Sequence, residues 1–149
     1  MLNLKLPWKE QMKNDNLKLR TKKFALDVLA FVEKLPRDRT CDVLGRQLLR
    51  SGTSVGANYR SACRAKSSAD FVSKMGIVEE EADETGYWLE LLADSGKIRA
   101  EVARNLLAEA NELTAISVAS INTARRSQAN GKQFRSVSNS ALRTPRSAL

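Results

Sequence analysis

The stretch Asp42–Asp94, DVLGRQLLRSGTSVGANYRSACRAKSSADFVSKMGIVEEEADETGYWLELLAD, decides the fold. The polar turn Lys66-Ser67-Ser68 divides it into two long helical patterns. Before the turn, Leu44, Leu48, Ser51, Val55, Asn58 and Ala62 recur at alternating spacings of four and three. That is the seam of a helix packed lengthwise on others. One step round run Gly45, Leu49, Gly52, Gly56, Tyr59 and Cys63, and a further step gives Arg46, Arg50, Thr53, Ala57, Arg60 and Arg64. A single helix thus shows a core face, a glycine-rich face and a basic face. After the turn, Phe71, Met75, Val78, Ala82, Thr85, Leu89 and Leu92 form an answering seam beside a dense acidic run.

Outward from this pair the pattern continues on both sides. A first helix begins near Asp15 or Asn16, either an acceptable cap, and turns Leu17, Phe24, Val28, Phe31 and Leu35 inward. Pro36 stops it, and Arg37-Asp38-Arg39-Thr40 makes the turn into a second helix over about 40–65. Ser67 or Ser68 caps the third helix, Asp70 favours its first turn, and Ser95-Gly96 ends it. A fourth helix takes Arg99 to about Arg126 and buries Val102, Leu106, Leu113 and Ile116. No strand-like alternation of any length occurs. Four helices with short connections predict an all-α, antiparallel up-down-up-down four-helix bundle over residues 16–126. Residues 1–15 read as an N-terminal arm with Leu4, Leu6 and Trp8 available to dock, and 127–149 as a basic, Ser-rich, disordered tail.

The net charge of +8 is unevenly spread. From Arg37 to Lys66 seven basic residues face two acidic ones, whereas Asp70 to Asp94 holds eight acidic residues and only Lys74. Six further basic residues and no acid follow from Arg125, so the body without them stands at about +2 (8 − 6). No stretch has the apolar length of a membrane span, and MLNLKLPWKEQMKN lacks the apolar centre of a signal peptide. A cytoplasmic protein is expected, with Cys41 and Cys63 as ordinary unpaired thiols.

Chemistry at a catalytic site is not expected. The chain contains no histidine, which removes the commonest general base, the Ser-His and Cys-His pairs, and the histidine-containing zinc and di-iron sites. Glu79, Glu80, Glu81, Asp83 and Glu84 point in several directions, because consecutive helix positions turn by about 100°. No metal site or cofactor is predicted from them. No phosphate-cradling GxxxxGK[ST] loop is present either.

The run LLRSGTSVGANYRSACRAKSSADFVSKMGIVEEEADETGYWLELL closely resembles the bacterial four-helix-bundle proteins named after the intervening sequences of 23S ribosomal RNA genes. Arg50-Ser51, Ser54-Val55, Ala57-Asn58, Asp70-Phe71 and the acidic run carry the resemblance, which extends over roughly Leu17 to Arg126. It implies a homopentameric bundle. Relatives of that family include the accessory variability proteins of diversity-generating retroelements, which bind nucleic acid.

Two stripes of the second helix then become candidate surfaces. Interior glycines each cost about 0.5–1 kcal/mol relative to alanine, and such a cost calls for close approach of another backbone. Gly45, Gly52, Gly56 and Tyr59 serve either packing within one bundle or a subunit contact, and the resemblance favours the contact. The basic face offers Arg46, Arg50, Arg60 and Arg64, with Lys66 beyond, along about 27 Å of rise, and arginine suits phosphate oxygens. The tail adds Lys132, Arg135, Arg143 and Arg146. Pairing of the helical arginines with Glu79, Asp83 or Glu90 would instead use them for assembly. The expected function is therefore a non-catalytic oligomer that binds RNA or DNA, or a scaffold for a protein partner, with no membrane role.

Overall fold

Helices α1 (Asp15–Glu33), α2 (Arg39–Ala62), α3 (Ser68–Asp94) and α4 (Ala100–Ala141) pack against one another, with no strand among the described residues. The computed structural model describes residues 15–141, with side chains over 16–131. Leu4, Leu6, Trp8, Arg143 and Arg146 lie outside the described residues; Lys132 and Arg135 fall within α4 but beyond the described side chains.

Local chemistry sets the boundaries. Asp38, two residues past Pro36, takes extended backbone angles, and its carboxylate accepts the Cys41 N–H at 2.9 Å as the cap of α2. Its other oxygen accepts from Lys97 Nζ at 3.0 Å, tying the α1–α2 turn to the α3–α4 turn. Ser67 Oγ accepts the Asp70 N–H at 3.0 Å, while the Asp70 carboxylate reaches back to the Lys66 N–H at 2.9 Å. This reciprocal pair satisfies donors that a helix start leaves orphaned. Gly96, at φ +72°, closes α3: its N–H meets the Ala93 carbonyl and that of Lys97 meets Leu92.

The α3 seam is buried at every predicted position, from Phe71 to Leu92. On α2 the core and glycine stripes merge into one buried face, because α3 covers one flank and α1 the other. The glycine stripe is filled within the chain. A Cβ at Gly52 would sit 2.8 Å from a Val28 methyl, one at Gly45 3.2 Å from Leu35, and one at Gly56 3.3 Å from the Thr21 carbonyl oxygen. Tyr59 is 3% exposed. Of the two uses that the sequence offers for Gly45, Gly52, Gly56 and Tyr59, packing within one bundle is the one seen in the single chain, where α1, held close by a short turn, lies in that groove.

On α4 the buried line is Ala103, Leu106, Ala110, Leu113, Ser117, Ile121 and Ala124. Val102, expected inside, is 60% exposed, and Ile116 is only partly covered. Small residues let α4 lie close to α3, so the true line runs through alanines that carry little hydropathy signal. The helix also continues past Arg126 to Ala141, over residues assigned from sequence to the tail. No proline precedes Pro145 there, and lengthening an existing helix needs no new nucleus. Each helix packs mainly on its neighbours in sequence, and α1 meets α4 sparsely. Arg20 bridges that gap to both carboxylate oxygens of Glu109, at 2.6 and 2.9 Å, and to Glu112 at 3.1 Å.

Candidate nucleic-acid interface

The arginine face of α2 is exposed along its length, but its members differ in what they meet. Arg46 folds back so that Nε donates to the Asp42 carbonyl at 3.1 Å. Arg50 crosses to α3, pairing with Glu84 and, at 3.5 Å, with Glu81. Glu84 also accepts the Trp88 indole N–H at 3.0 Å. The Arg50 guanidinium, and after it that indole, hold the Glu84 carboxyl below the usual carboxylate range. Beneath this pair the fully buried hydroxyls of Ser51 and Thr85 lie 2.9 Å apart. Arg50 is thus part of the α2–α3 joint. Its partners are not the Glu79, Asp83 and Glu90 expected: Glu81 and Glu84 each precede a buried seam residue, Ala82 and Thr85, whereas the expected acids each follow one and so lie on the other flank of the seam.

The other end of the stripe is different. Arg60 lies on the last turn of α2, and since that helix stops at Ala62, Arg64 and Lys66 fall in the turn itself. All three side chains are exposed; Arg60 and Arg64 form no ion pair with a carboxylate among the described residues, and Lys66 acts on Asp70, which is itself paired with Lys74. Two cations that the sequence reading passed over join them. Lys18 and Lys22 of α1 flank a cleft of about 290 Å³ whose opposite lip is Arg60. Their four-residue spacing was visible; that α1 sets them against the end of α2 was not. Nearby, Ser68 Oγ donates to the Ala124 carbonyl at 3.4 Å, which brings exposed Arg125 and Arg126 of α4 beside the α2–α3 turn. One end of the bundle therefore gathers Lys18, Lys22, Arg60, Arg64, Lys66, Arg125 and Arg126, and α4 continues from it toward Lys132 and Arg135.

Among the tyrosines and tryptophan of α2 and α3, Tyr59 is enclosed, and burial, then the nearby Cys63 thiol, push its phenol well above its ordinary range. Tyr87 and Trp88 stack edge to face with centroids 4.9 Å apart on the acidic helix, away from the basic end. Burial and the neighbouring Asp38 raise the Cys41 thiol, so it is a packed side chain held 3.6 Å from that carboxylate. Among the described residues, no group of three Asp, Glu or Cys side chains is placed to hold a metal ion. No helix is long and apolar enough to cross a membrane among the described residues.

Four mutually packed helices with a cationic end make this a small helical-bundle protein. The family model described as 23S rRNA-intervening sequence protein matches residues 15–119, through the body of α4, and the chain belongs to that family. It is similar, at 36% identity and a TM-score of 0.65, to a crystal structure of a protein with unknown function from the S23 ribosomal protein family of Bacteroides thetaiotaomicron. That match covers 70% of this chain and 96% of the other. No curated protein matches the chain.

Proposed function

We propose that this is a non-catalytic bundle protein that assembles with copies of itself and binds nucleic acid through its basic end. The supporting observation is the unequal use of cations. Arg20, Lys23, Arg50, Lys74, Lys97 and Arg99 are paired with carboxylates. Among the described residues Lys34, Arg37, Arg39, Arg46 and Arg104 also lack an ion pair, but at the basic end unpaired Arg60 stands with Lys18 and Lys22 around a cleft that no carboxylate lines, with Arg64 beyond. An antiparallel up-down-up-down course fits the Asp38–Lys97 contact at one end and the Ser68–Ala124 contact at the other. Five protomers, the number implied by the family resemblance, would present five such ends and turn weak phosphate contacts into avidity.

The test is binding of the intact protein to generic RNA and DNA across a salt series. Affinity should fall with salt by about 0.7–0.9 log units per phosphate contact for each log unit of salt. Arg60→Glu with Arg64→Glu should weaken binding while the oligomer mass and melting temperature stay put. Removing the residues beyond 131, with Lys132, Arg135, Arg143 and Arg146, should weaken RNA and DNA alike, because phosphate contacts carry no direct sequence information. Absence of binding near physiological salt would reject this function. The second reading, a scaffold for a protein partner, is favoured by Leu19 and Leu26, seven residues apart on α1 and 66% and 54% exposed.

A further inference from the structure

We infer that the cleft between α1 and α2 is the seat of a backbone phosphate of single-stranded nucleic acid, gripped by Lys18, Lys22 and Arg60. The inference rests on the nucleic-acid reading above and gives it a location. Three cations line this cleft and no carboxylate does. The neighbouring clefts lack that imbalance. The one beside the α1–α2 turn sets Arg37 and Arg46 against Glu33 and Asp42, and the one between α1 and α4 contains Arg20, already held by Glu109 and Glu112.

The floor is made of Thr21, Ala25, Thr53 and Gly56, with exposed Ala57 at the rim, so no long side chain fills the space between the lips. Gly56 in particular lets α2 lie against the Thr21 carbonyl, which keeps the two basic lips close. Both hydroxyls are spent inward: Thr21 donates to the Leu17 carbonyl at 2.9 Å and Thr53 to that of Leu49 at 2.7 Å. Donors facing the cleft are therefore ammonium and guanidinium groups, which reward formal negative charge over a neutral sugar or base. Lys18 and Lys22 stand one turn apart, where like charges repel, and an anion between them relieves that repulsion. From Arg60 the cationic track continues to Arg64 and Lys66 on the turn, as a strand leaving the seat would require. A short cleft suits one phosphate of a flexible strand better than the broad acidic face of a folded partner.

The experiment uses the full chain and a short single-stranded oligonucleotide, with affinity, salt slope, melting temperature and oligomer mass all measured. Lys18→Gln with Lys22→Gln is compared with Lys34→Gln and Arg37→Gln, which remove the same charge at the opposite end of α1. The cleft pair should lose about tenfold in affinity and roughly 0.7 of salt slope, and the control pair much less of each. Ala57→Glu places a carboxylate at an exposed cleft position and should reproduce the cleft pair's loss without touching a cation. Equal losses from the two lysine and arginine pairs would overturn the seat and leave only a general positive field. A fall in oligomer mass from the cleft pair would overturn it too, assigning the cations to the acidic α3 of a second copy. If the intact protein binds no oligonucleotide, the functional reading beneath the inference fails with it.

Discussion

Arg50 and Arg60 occupy the same face of α2, ten residues and about 15 Å apart, yet they have opposite surroundings. Opposite Arg50 runs the acidic middle of α3, and the two helices close over buried Ser51 and Thr85. Opposite Arg60 lies the start of α1, which contributes Lys18 and Lys22 instead of acids. One stripe is thus a helix joint in its middle and a cationic surface at its end. Periodicity shows that a face is turned outward; the neighbouring helix determines what that face meets.

The largest expected effect breaks the joint half. In Gly52→Leu the new Cβ alone falls within 2.9 Å of both Val28 methyls, and the rest of the side chain must push α1 off α2. Overpacking of this kind costs about 1–3 kcal/mol or more, so thermal melts should shift down by roughly 3–10 °C. Gly76, with nothing within 4 Å of its Cβ position, is the contrast. Gly76→Ala should stabilise by roughly 0.5–1 kcal/mol. A Gly52→Leu protein that keeps its melting temperature but loses oligomer mass would return the glycine to a subunit contact.

These contrasts show what was legible beforehand. The α2 and α3 seams could be read residue by residue, because large apolar side chains at helical spacing have few other uses. The α4 seam was read only in part: Leu106 and Leu113 are buried as expected, but alanine and serine fill most of the other positions and Val102 misleads. The glycine stripe announced a close approach but not its occupant; α1 is adjacent in sequence, and Val28 was already assigned to the core without a partner. Of the basic site, Arg60, Arg64 and Lys66 were visible as a charge run. Lys18 and Lys22 were not, because a pairing between two helices is not encoded in either one alone.

A smaller effect separates the halves by charge reversal. Arg50→Glu would set a carboxylate against Glu81 and Glu84 and should lower the melting temperature by a few degrees. Arg60→Glu meets no carboxylate among the described residues and should change stability by less than about 0.5 kcal/mol while weakening nucleic-acid binding. Equal destabilisation by the two changes would mean that the end of the stripe is also a joint.

The finest comparison is made with acid. Arg50, with the Trp88 N–H behind it, depresses the Glu84 carboxyl below its ordinary value of 4.5. A carboxyl whose pKa is lowered on folding contributes stability above its unfolded pKa, and loses it as pH falls through the folded value. Wild type should therefore exceed Arg50→Gln in stability by a constant margin at neutral pH. That margin should begin to shrink near 4.5 and close at still lower pH, once Glu84 is protonated in both proteins. Asp38 and Asp70, also depressed by their cap hydrogen bonds and then by lysines, are common to both and cancel in the difference. Arg60→Gln should track wild type throughout the titration, since no carboxyl among the described residues pairs with Arg60. Denaturant melts across that pH range provide the measurement. A margin for Arg50→Gln that persists undiminished into acid would show that Arg50 holds α3 through the packing of its aliphatic stem, and the charged joint would have to be abandoned.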